Sequence, residues 1–421
     1  MYKNVFYNTA TQTVGKIITA SCTLLVTILI GKALGEAGFG EFTKIFVFVG
    51  YFYTLADFGL NSVYVKIAQN SNGITLLKNL FGLRLVIGIS LALLAILVSL
   101  LVPYNAQNQT GFSPIVRLGI AIASLTIITQ ALIVTANSYF QKTLRYDLAA
   151  IAAVFGSLIF LIGTYFVTAN NSGILSYTAI YVFSGITTVL LAYFLIFKKT
   201  NSWITPKFYL ARITEMLTQS WPVGVALILN IIYFRIDIFI LSNLRPPQEV
   251  GVYGLAYQFF EASLAIPIFF SNALYPILLK IYRDDRVNFK NKVANWLKIL
   301  TALSTLMVLA LFAVAGLIPY IYNGQFQNST IALRILALGV PFFFLTAVLW
   351  HALIIFGKQK TLIYIYLTGA IFNLLANLIF IPAYGYLASA VITVASEAFI
   401  FALLTMVYLR SYNQKQLTTD N

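Results

Sequence analysis

Charge is what this 421-residue chain has least of: 9% of its residues are Asp, Glu, Lys or Arg, against about 25% in a soluble domain. With 60% hydrophobic residues and a mean hydropathy of +0.87, the shortage excludes a soluble globular protein and points to an integral membrane protein. Cysteine is nearly absent. Cys22 stands alone in an apolar run, which excludes an internal disulfide and a thiolate zinc site. One histidine, His351, excludes a paired-histidine metal centre. No phosphate-binding loop and no nucleophile elbow occur, and no connection is long enough for an extramembrane catalytic region. These absences argue against an enzyme, and the chain needs no cofactor.

What remains is almost entirely long hydrophobic runs. Reading stretches of about 20 apolar residues as bilayer spans yields twelve, near 14–34, 42–62, 80–102, 115–137, 147–168, 174–197, 219–243, 251–279, 298–322, 331–356, 361–381 and 386–409. The fold class expected is therefore all-α integral membrane, with twelve transmembrane helices. Residues 1–13 are polar and the first apolar run is long enough to stay as a span, so no cleavable leader is expected.

Basic residues orient the chain. With the N-terminus in the cytoplasm, nineteen of the 27 Lys and Arg fall in cytoplasmic connections, five lie within spans, and Lys32, Lys44 and Arg245 are outside. The positive-inside rule then places both termini in the cytoplasm. The formal charge of +15 reflects topology and needs no nucleic acid; anionic lipid headgroups suffice as its partner.

The two halves echo one another. Gln141-Lys142-Thr143-Leu144 returns as Gln359-Lys360-Thr361-Leu362, Arg117 as Arg334, Glu36-Ala37-Gly38 as Glu249-Val250-Gly251, and Gly173, Leu175 and Ile180 as Gly385, Leu387 and Ile392. Six spans per half is an even number, so the halves share an orientation about an axis along the membrane normal. The expected organisation is an N-terminal six-helix bundle over 1–197, a cytoplasmic linker over 198–218, a C-terminal bundle over 219–409 and a tail over 410–421. Such a pair can enclose a central cavity and rock. Pro222, Pro267, Pro276 and Pro341 are candidate bends within spans.

Ten ionisable residues sit inside apolar runs: Lys16, Asp57, Arg84, Arg117, Arg235, Asp237, Glu261, Arg334, His351 and Glu397. A charge at a span centre costs about 2.5–3.5 kcal/mol on the mildest scale, so charges there must look inward. Arg235, Asp237, Glu261 and Glu397 lie near mid-span. Lys16, Asp57 and Arg84 lie toward the cytoplasmic ends and Arg117 and Arg334 toward the outer ends, where side chains can snorkel. His351, beside Trp350, reads as interfacial. The cations Lys16, Arg84, Arg117, Arg235 and Arg334 are candidate contacts for an anionic substrate, with an internal salt bridge as the alternative for Arg235. The carboxylates Asp57, Asp237, Glu261 and Glu397 are candidate sites for coupling to a proton or sodium gradient. Gln12, Lys16, Thr19, Thr23 and Thr27 share one face of the first span, Tyr257, Gln258 and Glu261 one face of the eighth, and Asn230 aligns with Asp237 in the seventh. Asn373 and Asn377 lie one turn apart in the eleventh. Most such hydroxyls and amides serve interhelical hydrogen bonds.

Ala33-Leu34-Gly35 with Gly38-Phe39-Gly40, Leu55-Ala56-Asp57-Phe58-Gly59-Leu60, Arg235-Ile236-Asp237 with Val250-Gly251-Val252-Tyr253, and Asn377-Leu378 through Ile381-Pro382-Ala383-Tyr384-Gly385 together resemble the bacterial polysaccharide flippases of the O-antigen (Wzx-like) type. These are members of the multidrug/oligosaccharidyl-lipid/polysaccharide (MOP) exporter superfamily. The resemblance runs from about Asn8 to Leu409. It implies a MATE-like V of two six-helix bundles in a bacterial inner membrane and a cargo of undecaprenyl-diphosphate-linked oligosaccharide. It further implies movement of that cargo to the outer leaflet by ion-coupled alternating access. A polysaccharide polymerase and other glycan-assembly proteins would be its partners. Carried over, the diphosphate contacts would be Lys16, Arg84 and Arg235, and the coupling carboxylate Asp237 or Glu261. A drug or metabolite extruder of the same superfamily, a non-transporting scaffold for glycan assembly and a membrane glycosyltransferase are the rival readings.

Overall fold

The computed structural model describes residues 2–69, 73–284 and 286–417. Among these, fourteen α-helices and one small hairpin follow in order: α1 (Tyr2–Asp57), α2 (Leu60–Ile67), α3 (Gly73–Leu101), β1 (Tyr104–Asn105), β2 (Thr110–Gly111), α4 (Pro114–Ala123), α5 (Leu125–Lys142), α6 (Tyr146–Ala169), α7 (Ile174–Thr200), α8 (Leu210–Leu244), α9 (Pro247–Ser263), α10 (Ala265–Asp284), α11 (Arg286–Ile321), α12 (Gln327–Ala337), α13 (Val340–Ile355) and α14 (Gln359–Leu417). Helix is what an apolar sequence must form in lipid, because each N–H and C=O then finds its partner within its own segment. Many of the Thr and Ser side chains follow suit, returning their hydroxyls to the carbonyl three or four residues back, as Thr19 does to Gly15 and Thr178 to Ile174.

Fourteen segments make twelve traverses. At 56 and 59 residues, α1 and α14 would reach ~84 and ~88 Å if straight, about twice the full thickness of a bilayer. Each is divided by one glycine with a positive φ, Gly35 (φ 64°) and Gly385 (φ 58°), a conformation that side chains with a Cβ rarely adopt. Conversely, α4 and α5, α9 and α10, and α12 and α13 are each one span interrupted by a short irregular step, and α2 continues the second span beyond Phe58 and Gly59. Eight stretches are long and apolar enough to cross a membrane by length and composition, two of them the divided helices. The remaining spans, α8 and α9–α10, carry prolines and three of the four mid-span charges, Arg235, Asp237 and Glu261.

The chain divides into two compact units. One comprises residues up to Arg235 with Pro246–Gln248, the other Ile236–Arg245 with Glu249 onward. Residues 198–218, expected as the linker, run from the end of α7 through an irregular stretch at 201–209 into α8. In the first unit a cluster of Leu60, Tyr64, Leu76, Leu77, Leu80, Phe140, Ile196 and Met216 forms the core beneath α2. The β1–β2 hairpin is held from below: Lys44 Nζ donates to the Gly111 carbonyl (3.1 Å), Arg117 Nη2 to the Val102 carbonyl (2.9 Å), and Ser113 Oγ to Glu41 Oε1 (3.0 Å). Lys44, read from sequence as an outside cation, is thus only 2% exposed. Its chain is long enough to reach a carbonyl of the hairpin rather than water.

In the second unit Arg245, in the turn between α8 and α9, pairs with Glu249 (2.6 Å) and donates to the Pro382 carbonyl (3.0 Å). Glu249 in turn accepts the Tyr386 N–H (3.1 Å). A Cβ at Gly385 would lie 1.9 Å from Glu249 Oε2. Two motifs far apart in sequence therefore meet at one junction, and the glycine is required there twice over.

Candidate functional site

The first unit holds an ion pair whose cation is fully buried. The second span breaks at Phe58 (φ 42°) and Gly59 (φ 73°), leaving the end of α1 with carbonyls that have no helical partner. Arg84 of α3 fills that need. Its Nη2 donates to Asp57 Oδ1 (2.6 Å) and to the Asp57 main-chain oxygen (3.3 Å), while Nη1 donates to Thr135 Oγ1 (3.3 Å). The Arg84 side chain is 0% exposed and that of Asp57 29%. Two expected roles, a substrate cation at Arg84 and a coupling carboxylate at Asp57, thus fall on residues bonded to each other. Lys16 is exposed on the first span, with Thr23 exposed and Gln12 and Thr19 half-buried on the same face. Arg235 is half-buried. Arg334 is exposed, its guanidinium 5.9 Å from the Phe312 ring, and Arg117 donates to the Val102 carbonyl just after α3. His351 is buried, with Nδ1 2.8 Å from the Ala347 carbonyl and its ring against Tyr275 and Trp350.

The second unit holds a carboxylate of a different kind. Asp237 of α8 is 3% exposed. Tyr253 of α9 donates its hydroxyl to Asp237 Oδ2, Thr393 of α14 donates to the same oxygen (3.1 Å), and the Ile238 N–H reaches Oδ1 (2.7 Å). Thr393 also lies 2.9 Å from the Ser389 carbonyl. Beside them, Asn373 Nδ2 donates to Ser396 Oγ (3.0 Å), and Asn377 Nδ2 donates to the side-chain and main-chain oxygens of Asn373.

The Asn373–Ser396 bond fixes the register of the two limbs of α14, whose bend at Gly385 lies midway between these residues. The same register sets Asn377 level with Ile392 and Thr393 on the other limb. Two buried oxygens of these limbs stand without a hydrogen-bond partner, Asn377 Oδ1 and Ser389 Oγ. Leaving such an atom unsatisfied costs about 1–3 kcal/mol. At Asp237 itself, the carboxylate with the Tyr253 and Thr393 hydroxyls is an oxygen set of the kind that suits a hard cation. Among the described residues no cluster of three His, Cys, Asp or Glu could hold a metal ion.

Glu397, next to Ser396, is also buried, whereas Glu261 and Gln258 are exposed and Tyr257 is packed between Tyr253 and Phe260. The Asn230 side chain lies outside the described residues. Sequence reasoning singled out Asp237, Asn373 and Asn377 but missed Ser389, Thr393 and Ser396. Their spacing of four and three on one face of the twelfth span was the available signal.

Comparison with known proteins fits these features into a family. The profile described as polysaccharide biosynthesis protein matches residues 1–282, two thirds of the chain. The chain belongs to that family. A second profile, MatE, matches residues 222–379. No curated protein matches the sequence. Among solved structures, a lipid II flippase MurJ in an inward closed conformation is similar at TM-score 0.76 and 16% identity, covering 96% of this chain and 90% of that one. An inward-facing multidrug resistance MATE family transporter is similar at TM-score 0.72 and 13% identity, covering 97% and 99%. A MOP superfamily transporter from Pyrococcus furiosus, described as having a binding pocket of reverse polarity, is similar at TM-score 0.64 and 14% identity, covering 98% and 95%. At these identities the structures establish the fold. This polysaccharide biosynthesis family member thus has the multipass helical fold of those transporters and flippases.

Proposed function

We propose that the chain is a flippase that carries an undecaprenyl-diphosphate-linked oligosaccharide from the cytoplasmic to the outer leaflet of a bacterial inner membrane. The product feeds O-antigen, capsule or exopolysaccharide, with both termini cytoplasmic. The observation that carries this reading is membership of the polysaccharide biosynthesis family over residues 1–282, supported by likeness in fold to a lipid II flippase. Transport is coupled to a sodium or proton gradient through Asp237, where Tyr253 and Thr393 hold the carboxylate.

A diphosphate headgroup needs positive charge within the membrane. Arg84 is bonded to Asp57, so Lys16 and Arg235, exposed and half-buried members of the first unit, are the cations assigned to it. Arg84 instead shapes the broken second span.

The test is flipping of a fluorescent undecaprenyl-diphosphate oligosaccharide in proteoliposomes under imposed sodium and proton gradients. Gradient-dependent flipping is expected, lost in Asp237→Asn and in Lys16→Ala with Arg235→Ala. A chain that ignores this substrate but exports cationic drugs would replace the proposal with the extruder reading, which the MatE match over residues 222–379 favours.

A further inference from the structure

We propose that the connector between the sixth and seventh spans is a fixed seat for anionic phospholipid headgroups of the bilayer around it. The inference rests on the membrane reading of the chain and is independent of what the chain transports.

A nine-residue connection, 201–209, could hang loose in water. This one is pinned flat against α3. The Lys207 N–H donates to the Lys78 carbonyl (3.0 Å), the Tyr209 N–H to Asn79 Oδ1 (2.8 Å), and Lys78 Nζ to Ser202 Oγ (3.1 Å). Asn79 is wholly buried, and its Nδ2 is bonded to the Thr75 carbonyl, so its orientation is fixed. Gly82 completes the bed: a Cβ there would stand 2.6 Å from the Lys207 carbonyl and 3.0 Å from the Phe208 ring. Ile204, Ile213 and Leu217 turn inward onto the core around Met216.

What this bed presents outward is aromatic and basic. Trp203, stacked on Phe197 at 4.3 Å, is 60% exposed, Leu210 is 77% exposed, and Phe208 and Tyr209 are more than half exposed. Lys207 Nζ lies 5.6 Å over the Tyr209 ring and Lys198 Nζ 5.3 Å over Phe194. Lys199 and Arg212 are exposed beside them, and Glu215, paired with Arg212 at 2.8 Å, is the acidic residue of the segment. Aromatic rings with a polar edge settle at the headgroup level of a bilayer. Lysines held among them face lipid phosphates, and each basic group near an anionic surface strengthens attachment about fivefold. Charge and placement select an anionic phospholipid. A soluble acidic protein would leave Trp203, Phe208 and Leu210 in water.

Trp203 is a local reporter. With Trp221, Trp296 and Trp350 replaced by Phe, the full chain is placed in nanodiscs containing either brominated phosphatidylglycerol or brominated phosphatidylcholine, without transport substrate. Stronger quenching by the anionic lipid is expected. Lys198→Gln, Lys199→Gln and Lys207→Gln together should reduce that preference tenfold or more. Arg212 stays native so that Glu215 keeps its partner. Asn79→Ala should weaken the preference with every lysine in place, because the bed is released. Equal quenching by the two lipids, or a preference that survives the triple substitution, overturns the proposal. So does displacement of the preference by inorganic phosphate at millimolar concentration. Since no flipping is measured, failure here leaves the proposed transport function standing, and failure of that function leaves this result readable.

Discussion

The Arg84–Asp57 pair offers a sharp quantitative test, because its two ends differ in environment. Asp57→Asn strands a guanidinium that is 0% exposed, with the Asp57 main-chain oxygen and Thr135 Oγ1 as its surviving acceptors. Removing one member of a buried pair costs about 3–5 kcal/mol. Arg84→Met strands a carboxylate that is 29% exposed and can draw in water, so its loss falls toward the ~1 kcal/mol scale of partly solvated pairs. The first substitution should therefore be the more damaging by about 2 kcal/mol. Combining Asp57→Asn with Arg84→Met should recover most of the difference, since no unpaired charge remains. Reversible unfolding in mixed micelles, titrated with dodecyl sulfate, measures all three. Equal losses, or the opposite order, refute the placement of Arg84 in the interior. The double variant also separates two roles: a strut for the second span predicts transport close to native, whereas a diphosphate contact predicts its loss.

At the Asp237 cluster, Thr393→Val removes one donor to the carboxylate and should weaken sodium dependence of transport or sodium protection against unfolding by about tenfold, one charge-assisted hydrogen bond; unchanged dependence would remove Thr393 from the site. Gly385→Ala forces a Cβ into a φ of 58° and into Glu249 Oε2, so a loss of about 1–3 kcal/mol is expected, seen as a lower unfolding midpoint, while an unchanged midpoint contradicts the junction. Lys44→Met replaces a buried ammonium with an isostere; stability should stay within about 1 kcal/mol, but amide exchange of residues 103–112 should rise as the Gly111 carbonyl loses its donor.

The spans and the all-α class were legible because lipid imposes them locally: twenty apolar residues must be helix. The bends were expected at Pro222, Pro267, Pro276 and Pro341, whereas the sharp breaks fall at Gly35, Phe58–Gly59 and Gly385. Gly35 and Gly385 sit in motifs that sequence alone singled out. Pairing was less legible. Arg84 and Asp57 are 27 residues apart, and nothing in their spacing says that the second span breaks at Phe58 and exposes a carbonyl for Arg84 to hold. The burial of Lys44 was not legible, because proximity to an apolar run's end looks the same whether the ammonium reaches water or a hairpin carbonyl. Around Asp237, the partners arrive from 16 and 156 residues away, on helices whose mutual rotation only packing decides.

The difference between Asp57 and Asp237 bears on which one can exchange an ion during a cycle. Asp57 is neutralised by a fixed cation, and taking a second positive charge there would set it against Arg84 at contact distance. At Asp237, the Tyr253 and Thr393 hydroxyls that donate to the carboxylate are neutral dipoles that can turn. A sodium ion taken up there would meet the oxygens of these two side chains, and Thr393→Val weakens that contact while leaving the carboxylate in place. Asp57 instead holds Arg84 as a fixed counter-charge, which opposes a second cation.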